Sequence, residues 1–163
     1  MAQLRVMIAT ALVAGPALAG PVAAPKGWAV DPALAKAAAT AAADPKTAIT
    51  VTSSAAWSDP ARGCYALALD LHGAAGPIDA AADQLLAALA TELAGAKLHD
   101  VQKPVAGERG TLALGFEAQR GYHGVLRVEL AKTGDVHALA CVWNPREPKV
   151  CEAACTKWFG GSS

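Results

Sequence analysis

The sequence predicts an α+β fold: a single antiparallel sheet covered by helices and stapled by disulfides, following a cleaved signal peptide. Three observations carry this. Short runs of alternating apolar residues are joined by turn residues; other stretches repeat apolar residues at helical spacing; and four cysteines, Cys64, Cys141, Cys151 and Cys155, follow an export-like N-terminus in a chain of 163 residues.

Residues 1–19 read as the signal peptide. Arg5 supplies the positive charge, an apolar run extends from Val6 to Ala19, and Ala17-Leu18-Ala19 forms a small-x-small site that predicts cleavage after Ala19. The run is shorter than the roughly 20 apolar residues that span a bilayer, and Gly15-Pro16 interrupts it. The expectation is a periplasmic or extracellular protein with no membrane insertion after cleavage. The whole chain has 14 basic and 14 acidic residues, so loss of Arg5 leaves 13 against 14, a formal charge of −1. That balance argues against a nucleic-acid partner, whose phosphates need a basic surface.

The mature chain divides into a Pro-, Ala- and Gly-rich flexible leader at 20–30, an Ala-rich helix at 31–44 and an α+β domain at 48–160. Asp31-Pro32 offers an N-cap and a proline at the first helical position, and Asp44-Pro45 stops the run of alanines. A helix whose apolar face is alanine either packs closely on a neighbour or acts as a spacer, and the spacer is the reading preferred here. From Ala48 the period becomes that of a strand, with Ile49, Val51 and Ser53 alternating until turn residues cluster at Trp57-Ser58-Asp59-Pro60. Cys64 to His72 is the clearest strand. Tyr65, Leu67, Leu69 and Leu71 share one face, expected to meet the main core, while Cys64, Ala66, Ala68, Asp70 and His72 share a small face suited to lying close under a helix.

After Gly73 to Pro77, the residues Ile78, Ala82, Leu85, Leu86, Leu89 and Leu93 form one helical stripe that Gly95 ends. A short strand around Leu98 to Val101 and a loop through Pro104 follow. Gly110 to Ala118 points Leu112, Leu114 and Phe116 inward; His123 to Ala131 and Val136 to Trp143 continue the alternation, and the short turns between them predict an antiparallel meander. The last helix runs from near Pro148 to Gly160-Gly161, with Cys151, Ala154, Cys155, Trp158 and Phe159 on its buried stripe.

Four cysteines in an exported chain point to two disulfides. Their spacing lacks the two close pairs a zinc site uses, and Cys151 and Cys155 lack the two-residue gap of thioredoxin-like redox motifs. Cys141 with Cys151 and Cys64 with Cys155 is the expected pairing, because cysteines on successive helical turns reach outward more easily than toward each other.

No catalytic residue is assigned, and neither a metal nor a cofactor is expected. The His72-Gly73-Ala74-Ala75-Gly76 turn lacks a Gly-x-Ser-x-Gly elbow and a phosphate-loop Lys-Ser or Lys-Thr, and no His-Glu-x-x-His occurs. Asp70 and His72 are the acid and histidine that local spacing brings together, which keeps open a small hydrolase or lyase working beside Gly73 to Gly76. A thiol redox sensor is the other alternative. His99 and His123 read as surface histidines; Glu117, Arg127 and Glu129 read as solvated sheet surface. Trp143-Asn144-Pro145-Arg146-Glu147-Pro148 is the most distinctive exposed stretch, with Trp143, Asn144 and Arg146 as candidate partner anchors.

From Ala48 to Phe159 the element order (strand, strand, helix, antiparallel strands, terminal helix) resembles that of the Mog1/PsbP-like group, including the DcrB-type envelope proteins of bacteria. The resemblance implies a sheet covered by helices and an adaptor, binding or assembly role, and it supplies no catalytic residues. The function expected from sequence is therefore a non-enzymatic binding or assembly protein of the cell envelope, whose partner is a protein or small ligand.

Overall fold

The computed structural model describes residues 22–43, 49–73, 76–92, 95–144 and 146–161; the stretch 1–19 read above as a signal peptide, the expected Asp44-Pro45 stop and part of the Gly73–Gly76 turn lie outside them. Among these residues the fold is α+β, with eight antiparallel strands in one sheet and three α-helices. In chain order these are β1 (Ala29–Val30), α1 (Pro32–Ala42), β2 (Thr50–Asp59), β3 (Cys64–His72), α2 (Ile78–Glu92), β4 (Lys97–Gln102), β5 (Val105–Ala106), β6 (Arg109–Glu117), β7 (His123–Ala131), β8 (Asp135–Trp143) and α3 (Pro148–Gly161). The strands lie in the order β1-β2-β3-β8-β7-β6-β4, and β5 pairs with β6. The meander β6-β7-β8 thus folds back so that β8 sits beside β3, and α2 carries the chain from β3 to β4 at the far edge.

Each face of the sheet has its own core. Under α2, Ile78 and Ala82 meet Leu112, Leu114, Phe116, Val128, Leu130 and Val136. Gly110 lets α2 approach the sheet, since a Cβ there would lie 2.3 Å from Ile78 Cγ2, and Gly124 makes room for the ring of its cross-strand partner Phe116, where a Cβ would lie 2.2 Å from Cζ. Under α3, Cys151, Cys155 and Trp158 meet Trp57, Ala66, Leu139, Cys141 and Trp143. Trp57 and Trp158 pack edge to face with centroids 5.8 Å apart, a geometry that suits the ring quadrupoles.

Several sequence expectations are corrected. β2 does not loosen at Trp57 but continues to Asp59, because Trp57 is drawn into the α3 core and the strand stays paired with β3 through Asp59 and Cys64. The turn falls instead at residues 60–63, where Gly63 adopts a positive φ of 68°. On β3 the small face lies under α3 at Cys64, Ala66 and Ala68, as expected, while on the larger face Leu69 is buried and Tyr65, Leu67 and Leu71 are half-buried. The small side chains let α3 and the tryptophans close over them.

The leader is not free chain. Trp158 Nε1 donates to the Ala23 carbonyl at 2.8 Å, Val22 and Trp28 pack on the α3 core, and Ala29 and Val30 pair with Ser58 and Trp57. Its prolines remove donors that a regular element would need, but Trp28 and Val22 bring enough apolar surface to dock it. α1 likewise is not a detached spacer. The Asp31 side chain caps it by accepting from Leu34 N–H at 3.0 Å, and the helix packs along β2. Ala56 and Ser58, which point away from the Trp57 face, are buried.

Both disulfides form, with the opposite pairing from the one expected: Cys64 joins Cys151 and Cys141 joins Cys155. The register explains it. Cys64 lies opposite Trp143, at the corner where β8 ends and α3 soon begins. α3 then runs back along β8, so one helical turn from Cys151 to Cys155, about 6 Å, matches two strand residues from Trp143 back to Cys141, about 7 Å. The two bonds form parallel rungs.

Candidate functional site

On the α3 side of the sheet the side chains fall into cross-strand rows. One row runs Cys64, Trp143, His123, Glu117, Lys97; the next runs Ala66, Cys141, Val125, Gly115, His99; the third runs Ala68, Leu139, Arg127, Ala113. α3 covers the β8 end of these rows. The β7 and β6 ends remain open, leaving a groove of about 600 Å³ between α3 and β4.

Its floor is built from small or short side chains, Ala113, Gly115 and Val125. Its α3 wall is a second stripe on that helix, Pro148, Glu152, Thr156 and Phe159, which lies beside the buried stripe because residues three and four apart share a face. The opposite rim is β4, with His99, Asp100 and Gln102. A bulge between His99 and Gln102, with Asp100 at a φ of 53°, turns this edge. His99 Nδ1 lies 2.7 Å from Asp100 Oδ2, and its ring lies over Gly115, where a Cβ would come within 2.2 Å of His99 Cε1.

The charged groups of the groove differ in their partners. Arg127 donates to Glu129 Oε1 at 3.0 Å along the same strand, and the pair is half-buried. The ring of His123 stacks on that of Trp143, with centroids 6.4 Å apart and planes 18° from parallel. The one hydroxyl in the lining, that of Thr156, donates to the Glu152 carbonyl at 2.9 Å. It is tied to its own helix through that bond.

The residues singled out in sequence fare differently. Asp70 and His72 share a face without pairing with each other. Asp70 Oδ1 is 2.6 Å from His137 Nδ1, and His72 Nδ1 is 2.8 Å from Asp135 Oδ1, each directly across the β3–β8 ladder. His72 and Thr133 both hydrogen-bond Asp135, and these bonds, His72 first, lower the Asp135 carboxyl below its ordinary range. Neither Asp70 nor His72 lines the groove.

Trp143 is buried rather than exposed, and acts as a wall of the groove through its stack with His123. Asn144 pins the corner: its N–H donates to Gly63 O at 3.0 Å, its side chain fills the space a Cβ on Gly63 would need, and its Oδ1 accepts from Arg146 N–H at 2.9 Å. Of the three expected anchors Trp143 is buried, Asn144 is half-buried and Arg146 is exposed. All four cysteines are buried and none is free.

The groove residues that sequence reasoning passed over were Ala113, Gly115, Val125, Glu117, His123, His99 and the Glu152–Thr156 stripe. One signal was present. On β6 and β7 the face turned away from the α2 core interrupts its polar side chains, Glu117, His123, Arg127 and Glu129, with Ala113, Gly115 and Val125. Among the described residues no group of three or more His, Cys, Asp or Glu side chains is arranged to hold a metal ion, and no helix is long and apolar enough to cross a membrane. Compared with known proteins, the chain matches no family model and no curated protein.

Proposed function

We propose that the chain is an exported, non-enzymatic binding or assembly protein of the cell envelope, periplasmic or extracellular, which holds its ligand in the groove between α3 and β4. The observation that carries this reading is the floor of Ala113, Gly115 and Val125 set between an α3 wall and the bulged β4 edge. Such a concave site on rigid elements, partly apolar with a few polar groups, is where small ligands bind. Two disulfides fix the α3 wall to the sheet, which preorganises the groove and fits an oxidising compartment. The resemblance of the element order to the Mog1/PsbP-like group supports the same class of role. The thiol-sensor alternative draws no support from four buried, paired cysteines, since a sensor needs an accessible thiolate.

A fragment screen followed by protein-observed NMR tests the reading. The expected result is that amide shifts cluster at His99, Ala113, Val125 and Thr156. Shifts that cluster on another face, or scatter without a cluster, would overturn it. Recovery of the protein from the periplasm with Gly20 as its first residue is the expected outcome for export; retention of Met1 in the cytoplasm contradicts that part.

A further inference from the structure

Two exposed glutamates of the groove make no ion pair among the described residues, and this bears on what it binds, given that it is the ligand site. Its lining includes three carboxylates, Asp100, Glu117 and Glu152, and one guanidinium, Arg127. Arg127 is engaged by Glu129, a residue outside the lining, and Asp100 is bonded to His99. Glu117 on the floor and Glu152 on the α3 wall make no ion pair or side-chain hydrogen bond among the described residues. Lys97 lies opposite Glu117 on β4 without forming an ion pair with it.

The same space holds aromatic surface. His123 is held against Trp143 in the row that contains Glu117, and Phe159 closes the end of the α3 stripe that begins at Pro148 and Glu152. Unpaired carboxylates beside aromatic rings, over a floor of small apolar side chains, are complementary to a cation with an apolar body. A carboxylate ligand would instead meet Glu117 and Glu152 at close range.

We propose that the groove takes a small organic amine: an ammonium group drawn to Glu117 and Glu152, on an aromatic or alkyl body resting on Ala113, Gly115 and Val125. A volume of about 600 Å³ is ample for such a ligand. Glu117 and Glu152 then set the charge preference.

Calorimetric titration of the oxidised protein with three probes of similar body tests this: 2-phenylethylamine, 2-phenylethanol and 3-phenylpropanoate, at neutral pH and low salt. The amine is expected to bind about tenfold tighter than the alcohol, with the propanoate weakest. Glu117→Gln and Glu152→Gln are each expected to weaken amine binding by about threefold or more and to leave the alcohol unchanged, whereas Glu108→Gln, remote on the β5–β6 turn, leaves both unchanged. Equal or tighter binding of the alcohol or propanoate would overturn the cation preference while leaving the groove as the site. An equal loss in Glu108→Gln would reduce the preference to bulk charge and overturn it. No saturable binding of any probe would overturn both this inference and the groove reading.

Discussion

Asp70 and His137 face each other across β3 and β8 with Oδ1 2.6 Å from Nδ1, and two residues along the same ladder His72 and Asp135 repeat the pair with the partners exchanged between strands. Their surroundings differ. The His137 side chain is 4% exposed and that of His72 is 55% exposed. Removing the acid from the first pair leaves a buried imidazole nitrogen without its partner, at a cost of about 1–3 kcal/mol. Removing the acid from the second costs less than about 1 kcal/mol. Urea unfolding of Asp70→Ala and Asp135→Ala should therefore show the larger loss at Asp70; equal losses would mean that the burial difference has no energetic weight.

The Asp135 pair has a pH signature. Hydrogen bonds from His72 and Thr133 lower the Asp135 carboxyl in the folded state, so the folded protein binds that proton less readily than the unfolded chain. The resulting stability is present above the unfolded value of about 3.9 and is lost as pH falls through the lower folded value. The stability difference between the wild type and Asp135→Asn should thus be largest near neutral pH and shrink in acid. A difference that grows as pH falls would contradict the assignment.

The two disulfides should contribute unequally. Cys64–Cys151 spans 87 residues and Cys141–Cys155 spans 14. In the chain-entropy model these closures are worth roughly 4.6 and about 3 kcal/mol. Replacing the first pair by serines should lower the melting temperature more than replacing the second, as thermal unfolding of the two double variants would show. The reverse order would indicate that local packing around Cys141 outweighs loop length.

The strand glycines separate core from groove. An added Cβ at Gly124 or Gly110 meets Phe116 or Ile78, both buried, whereas one at Gly115 meets the ring of His99 on the edge strand. Gly124→Ala and Gly110→Ala should cost about 1–3 kcal/mol through overpacking. At Gly115 the imidazole can swing aside, and the reduced freedom of the unfolded chain offsets part of the cost. Gly115→Ala should then stay within about 1 kcal/mol of the wild type while shifting the His99 resonances; a cost as large as at Gly124 would show that the β4 edge is rigid.

Much of this fold is legible in the sequence because its strong elements have one clear period. β3, α2, the β6–β8 meander and α3 all stand at or near the bounds that alternation or helical spacing predicts. Harder to read were features decided by tertiary contact. Trp57, among serine, aspartate and proline, looks like a turn residue until Trp158 packs against it. The docked leader depends on a hydrogen bond from Trp158 to Ala23, 135 residues away. Disulfide pairing depends on the β3–β8 register, which no local pattern reveals. The groove eluded sequence reading for a related reason: Glu117, His123 and Arg127 have the alternation of a solvated face, and only the placement of α3 beside them encloses the space.

The most direct test of the groove as the binding site is to fill its floor. Ala113→Phe places a ring over Gly115 and Val125 from a half-buried position whose side chain points away from the α2 core. Wild type and variant would be titrated with 2-phenylethylamine and 2-phenylethanol while the Val125 and Thr156 amide resonances are followed. The account predicts saturable shifts in the wild type and none in the variant, with the variant's melting transition retained. Equal responses in the two proteins, or no saturable response to either probe in the wild type, would contradict it.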